Sequence, residues 1–91
     1  MRNETQHFAL VVELLSLSNE DQRRDKEAKL KLYSSREVKE YWIADWRSRK
    51  LEVYRREQSQ LNLVVTLFSS DIISSPLLPG FSCTVNQFFP V

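Results

Sequence analysis

Residues 8–15 are apolar on both alternating faces except at Glu13, which is the pattern of a central strand covered on both sides in a parallel or mixed sheet. Ser18, followed three residues later by Asp21, resembles a capping box and predicts a helix over residues 19–34. Glu, Gln, Arg, Lys, Ala and Leu fill that segment, and Ser34 and Ser35 mark its exit. Residues 40–46 and 51–55 are rich in aromatic and β-branched side chains, with a link over 47–50 short enough for a hairpin, and residues 61–68 form a third run of the same kind. A helix between the first two strands permits a right-handed parallel crossover, whereas the short later links force antiparallel meanders. The expected fold is therefore α/β with a mixed sheet, in the order β-α-β-β-β. Ser74, Ser75, Pro76, Pro79 and Gly80 punctuate a looped tail that ends in a short helical turn over residues 85–89.

Composition narrows the class. With 91 residues, 42% of them hydrophobic, the chain fits one small folded domain rather than a disordered segment. The lone Cys83 has no partner for an internal disulfide, no Cys/His spacing suits zinc, and the start shows no signal-peptide pattern. These features point to a reducing, cytoplasmic setting. The apolar runs are far shorter than the roughly 20 residues that cross a bilayer, so no membrane partner is expected. Net charge is +1, but every Lys and Arg except Arg2 lies between Arg23 and Arg56, interleaved with acids as on a solvated face.

Candidate chemistry starts at Glu13, the only charge in its strand, which would cost several kcal/mol to bury ionised and unpaired. A helical wheel places Ala28, Leu32 and Tyr33 toward the sheet with Asp25 and Lys29 between them, and Arg23, Arg24, Glu27 and Lys31 outward. Lys26 and Leu30 widen the inward arc. Since the helix packs back over the strand it follows, Lys29 is the expected partner of Glu13. From spacing alone, a Glu–Lys pair of this kind reads first as a structural tie and only second as part of a site. Tyr41, Trp42, Trp46 and Tyr54 could stack on bases but read more simply as packing. Cys83 reads as a small buried hydrophobe, and His7 as a solvated residue without a nucleophile beside it.

Several segments in order carry a family resemblance. They are residues 11–18 around Glu13, the Asp25-x-x-x-Lys29 helix with Tyr33, residues 40–45, and the closing run 75–81. Together they resemble the Uma-two family of restriction-endonuclease-like proteins, which implies a PD-(D/E)XK fold over residues 1–91 as a single partial domain. The resemblance implies Glu13 as the acidic strand residue and metal ligand, Lys29 as the lysine moved onto the helix, and Asp25 as its helper. It also implies Mg²⁺ (or Mn²⁺) as cofactor and DNA as substrate. The chain departs from the family pattern at Phe8 and Ala9, where a Pro-Asp pair is usual, and at Leu17, where Pro is usual. It matches the C-terminal half, with an N-terminal truncation that would remove a metal-binding aspartate. The expectation is thus an endonuclease-like protein that is weak or inactive alone, or alternatively a non-catalytic remnant serving as an interaction or oligomerisation module. Uncovered sheet edges would favour a homo-oligomer.

Overall fold

The computed structural model describes residues 9–15 and 19–89, with side chains over 9–15 and 24–89. Its elements run β1 (Leu10–Leu15), α1 (Asn19–Ser35), β2 (Glu40–Asp45), β3 (Lys50–Glu57), β4 (Gln60–Phe68), β5 (Ile72–Ser74), β6 (Ser82–Thr84) and a 3-10 turn (Val85–Phe88). The first four strands form a mixed sheet in the order β1-β2-β3-β4, β1 parallel to β2 and the rest antiparallel. β5 and β6 pair as a separate antiparallel hairpin. Phe8, His7, the Ser18 cap and Leu17 fall outside the described residues.

The β2–β3 and β3–β4 links are tight, with Arg49 (φ 54°) and Gln58 (φ 60°) in the left-handed region that such turns require. α1 ends in a Schellman arrangement: Val38 N–H donates to Tyr33 O at 3.1 Å and Glu37 N–H to Ser34 O at 3.3 Å. Glu37 (φ 64°) occupies the left-handed position usually given to glycine. Arg56 fastens this helix end to the sheet, donating to Val38 O (2.9 Å), Ser34 O (2.6 Å) and Tyr33 O (3.3 Å). A cation at the carbonyl end of a helix is favoured by the helix dipole as well as by the hydrogen bonds.

Two cores sandwich β2 and β3. Trp42, Ala44, Leu51 and Val53 pack against Ile73, Val85 and Phe89 of the C-terminal hairpin and turn. On the other face Leu15, Tyr41, Ile43, Tyr54 and Leu61 pack against Leu30 and Tyr33 of α1. Burial on both faces explains why β2 reads as an unbroken aliphatic and aromatic run over residues 41–44, whereas β3 has Leu51, Val53 and Tyr54 interrupted by Glu52.

Three expectations need correction. β1 lies at the end of the four-stranded sheet rather than at its centre, and its outward face leaves Val12 45% and Leu14 51% exposed. Apolarity on both faces marks a strand that could be covered twice, yet it does not say which strands do the covering. The helix is also rotated from the wheel: Asp25, Lys26, Lys29, Leu30, Tyr33 and Ser34 are partly buried, whereas Ala28 and Leu32 are exposed. Four of those six inward side chains are polar, so ion pairs rather than an apolar stripe set the rotation. Finally, the tail is a hairpin followed by the 3-10 turn, not a loop, because its three-residue strands are too short to show a period. No helix of the described residues is long and apolar enough to cross a membrane.

Candidate active site

Parallel pairing sets β1 so that Glu13 lies opposite Ile43 of β2, with Val11 opposite Tyr41. Alternation then turns Val11, Glu13 and Leu15 toward α1. The Glu13 carboxylate receives three donors from two neighbouring elements. Lys29 Nζ donates to Oε1 at 2.9 Å, Tyr41 OH to the same oxygen at 2.9 Å, and Tyr33 OH to Oε2 at 3.0 Å. Asp25 Oδ2 stands 3.5 Å from Lys29 Nζ, one helical turn away. The rings of Tyr33 and Tyr41 meet edge to face at 4.9 Å, which fixes both hydroxyls on the carboxylate. The structure thus brings Glu13, Lys29 and Asp25 together and adds two tyrosines to them.

Electrostatics follow from this geometry. Burial acts to raise the Glu13 carboxyl, but the hydrogen bonds from Lys29, Tyr41 and Tyr33 together outweigh it and hold the group below its ordinary 4.5. Hydrogen bonding to Glu13 raises the Lys29 ammonium above its ordinary 10.5, against the opposing effect of burial. Burial, then the bond to Glu13, raises both tyrosine hydroxyls. At neutral pH the cluster is therefore carboxylate, ammonium and two neutral phenols.

A pH dependence follows, with its sign set by each shift. Glu13 is lowered in the folded state, so its contribution is present above the unfolded value of 4.5 and is lost as pH falls through the lower folded value. Lys29 is raised, so its contribution is present below 10.5 and is lost as pH rises through the higher folded value. Glu13→Gln should lower stability by about 2 kcal/mol at pH 7, where charge-assisted bonds are lost. The gap from wild type should narrow as pH falls below 4.5 and through the lower folded value. Urea unfolding followed by circular dichroism at pH 7 and pH 3 reads both; an equal gap at the two values would show that the carboxylate is not the stabilising form.

A second carboxylate escaped the sequence reading. Glu52, 9% exposed, shares the register row of Glu13 across Ile43. It is met by Lys26 Nζ at 2.9 Å and by Tyr54 OH at 3.1 Å. The signal was present, since Glu52 is a lone acid among Leu51, Val53 and Tyr54, and Lys26 lies three residues before Lys29. Two Glu–Lys–Tyr groups thus lie side by side beneath α1. Tyr41, Trp42 and Tyr54 are buried, as their reading as packing requires, while Trp46 sits in the β2–β3 turn, edge-on to Phe89 and under Arg49. Cys83 is half-buried in β6 against the hairpin core.

Among the described residues, no group of three or more His, Cys, Asp or Glu gathers as a metal-binding set. The family model of Uma2, described as "Putative restriction endonuclease", matches residues 2–86. No curated protein matches the sequence.

Proposed function

We propose, from the premise that this chain belongs to the Uma2 family, that it is a nuclease-like domain directed at DNA phosphodiesters, with little or no cleavage activity of its own. The observation supporting this reading is the Lys29–Glu13 contact at 2.9 Å, with Asp25 behind the lysine. Lys29 would set a positive charge against the phosphoryl oxygens, where negative charge develops during hydrolysis. Glu13 would orient a water, although its lowered pKa makes it a weak proton acceptor.

The family resemblance implies Mg²⁺ or Mn²⁺ on Glu13, and the described residues do not fit such an ion as a resident cofactor. Magnesium demands near-octahedral oxygen coordination, usually from one or two carboxylates together with water and substrate phosphate. Here three protein donors occupy the Glu13 carboxylate, and Asp25 is turned to Lys29. Glu52 is engaged by Lys26 and Tyr54, on the far side of Ile43. Low activity follows from this shortage of free carboxylates among the described residues. A second reading, a non-catalytic interaction module, is favoured by the same saturation, because a carboxylate with three donors ties β1, α1 and β2 together without further duty.

Supercoiled-plasmid nicking with Mn²⁺, comparing wild type with Glu13→Gln and Lys29→Ala, tests the proposal. The expected result is trace nicking that is equal in all three proteins. Robust nicking abolished by both substitutions would overturn the low-activity reading. Duplex binding separates the other two: a DNA-directed domain should bind a fluorescent duplex with affinity that falls as salt rises, whereas no binding at low salt would leave the interaction module.

A further inference from the structure

Tyr41, Trp42 and Tyr54 are buried, but Trp46, the fourth aromatic side chain suited to stacking on a base, is 40% exposed. It opens the β2–β3 turn, one residue past Asp45 and three past Ile43, the β2 residue opposite Glu13, so it stands at the same end of the sheet as that carboxylate. Its ring lies on the other face, toward the C-terminal hairpin, where it meets Phe89 at 6.3 Å between centroids. Arg49 covers part of the ring, its guanidinium 5.8 Å from the indole centroid and 5.5 Å from that of Phe89. Asn86 Oδ1 accepts from Arg49 Nη1 at 3.0 Å, which ties the turn to the 3-10 turn. At the start of the β2–β3 turn, Asp45 Oδ1 accepts from Arg47 N–H at 3.0 Å. The indole is thus held in place while part of it still faces solvent. Cations surround this ring. Residues 45–50 carry three of them, Arg47, Arg49 and Lys50, against one acid, Asp45. Among the described residues no carboxylate pairs with the side chain of Arg47 or Arg49, and Lys50 makes only a long contact of 3.9 Å to Glu52.

We propose that Trp46 is a stacking platform for an unpaired base, with Arg47 and Lys50 drawing in the flanking phosphates; resting on the DNA-directed reading above, this names single-stranded DNA as the form bound. An aromatic ring beside cations is the combination that single-strand binding uses, because every base has a stacking face and every linkage carries a negative charge. A duplex keeps its bases stacked on one another, so it can satisfy the cations but not the indole. An acidic peptide would likewise answer the charge and leave the ring uncovered. Since Arg49 and Phe89 already fix the ring, little ordering is left to oppose binding.

Trp42 is 1% exposed, so quenching of tryptophan emission by an added ligand reports on Trp46. Titration of the full chain with oligothymidylate at low salt should quench that emission, whereas relaxed circular duplex, which has no ends to stack, and oligoglutamate should not. Fluorescence anisotropy of labelled oligothymidylate should show binding weakened about tenfold or more by Trp46→Ala, the range for one lost base stack, and far less by Trp46→Phe. Arg47→Ala should weaken single-strand and duplex binding alike and flatten the salt dependence. Circular dichroism identifies any variant that fails to fold, and the wild-type titration then decides. Duplex binding without quenching by oligothymidylate overturns the proposal and leaves the DNA-directed reading standing, whereas no binding of either form at low salt overturns both. Equal quenching by oligoglutamate, or unchanged affinity in a folded Trp46→Ala variant, also overturns it.

Discussion

Trp42→Ala should cost about 4 kcal/mol and leave the chain without a cooperative unfolding transition at room temperature. Trp42 is 1% exposed, packs among Ala44, Leu51, Val53, Ile73, Val85 and Phe89, and meets Phe88 edge-on at 6.0 Å. Its removal would open the layer between the sheet and the C-terminal hairpin. It would also withdraw the indole N–H that donates to Glu40 Oε1 at 2.8 Å. Domains have about 5–15 kcal/mol in hand, and one of 91 residues sits at the low end because it buries a smaller share of its surface. Trp42→Phe keeps most of the ring and should lose only about half as much. Urea titration by far-ultraviolet circular dichroism measures both, and a wild-type midpoint for the alanine variant would refute the packing described.

Arg55→Ala should cost about 2 kcal/mol, less than for a fully buried ion pair because the arginine side chain is 38% exposed and its charge is partly screened. Glu40 is 3% exposed, and its Oε2 receives Arg55 Nε at 3.1 Å and Ser75 Oγ at 2.8 Å. Without the arginine, a buried anion would keep only neutral donors. The destabilisation should therefore be reduced when Glu40→Gln is added, since the amide oxygen can still accept from the Trp42 indole while the amide NH2 donates to Ser75 Oγ, without a charge to solvate. A double-mutant cycle decides the matter: strictly additive losses would mean that Glu40 and Arg55 are not coupled.

Individual residues show where sequence reading reaches and where it stops. β2, β3 and β4 were legible because Trp42, Ile43, Val53, Tyr54 and Val65 stand in runs whose composition suits a sheet and whose links are too short for anything but hairpins. Glu13 was legible as the one charge in an apolar strand. Glu40 was not, because at the first residue of β2 an acid looks like a solvated strand end; only the return of the chain at Ser75 buries it. The rotation of α1 was illegible for a related reason. Its apolar residues, Ala28, Leu30, Leu32 and Tyr33, define no single stripe, so the partners of Lys26 and Lys29 on the sheet decide which face turns inward. The β5–β6 hairpin was hidden by length, since Ile72–Ser74 and Ser82–Thr84 are each three residues long.

The parallel partnership of β1 with β2 sets an order of assembly. β2, β3 and β4 are joined by turns of a few residues, and such hairpins close in microseconds. β1 can reach β2 only after the intervening chain, including all of α1, has been brought round, a loop closure that comes at greater entropic cost and therefore later. Glu13, Lys29 and Tyr41 lie on the three elements that this last step unites. Partial opening of β1 would take the cluster apart while the meander stayed folded, so native-state hydrogen exchange should find β1 amides less protected than those of β3.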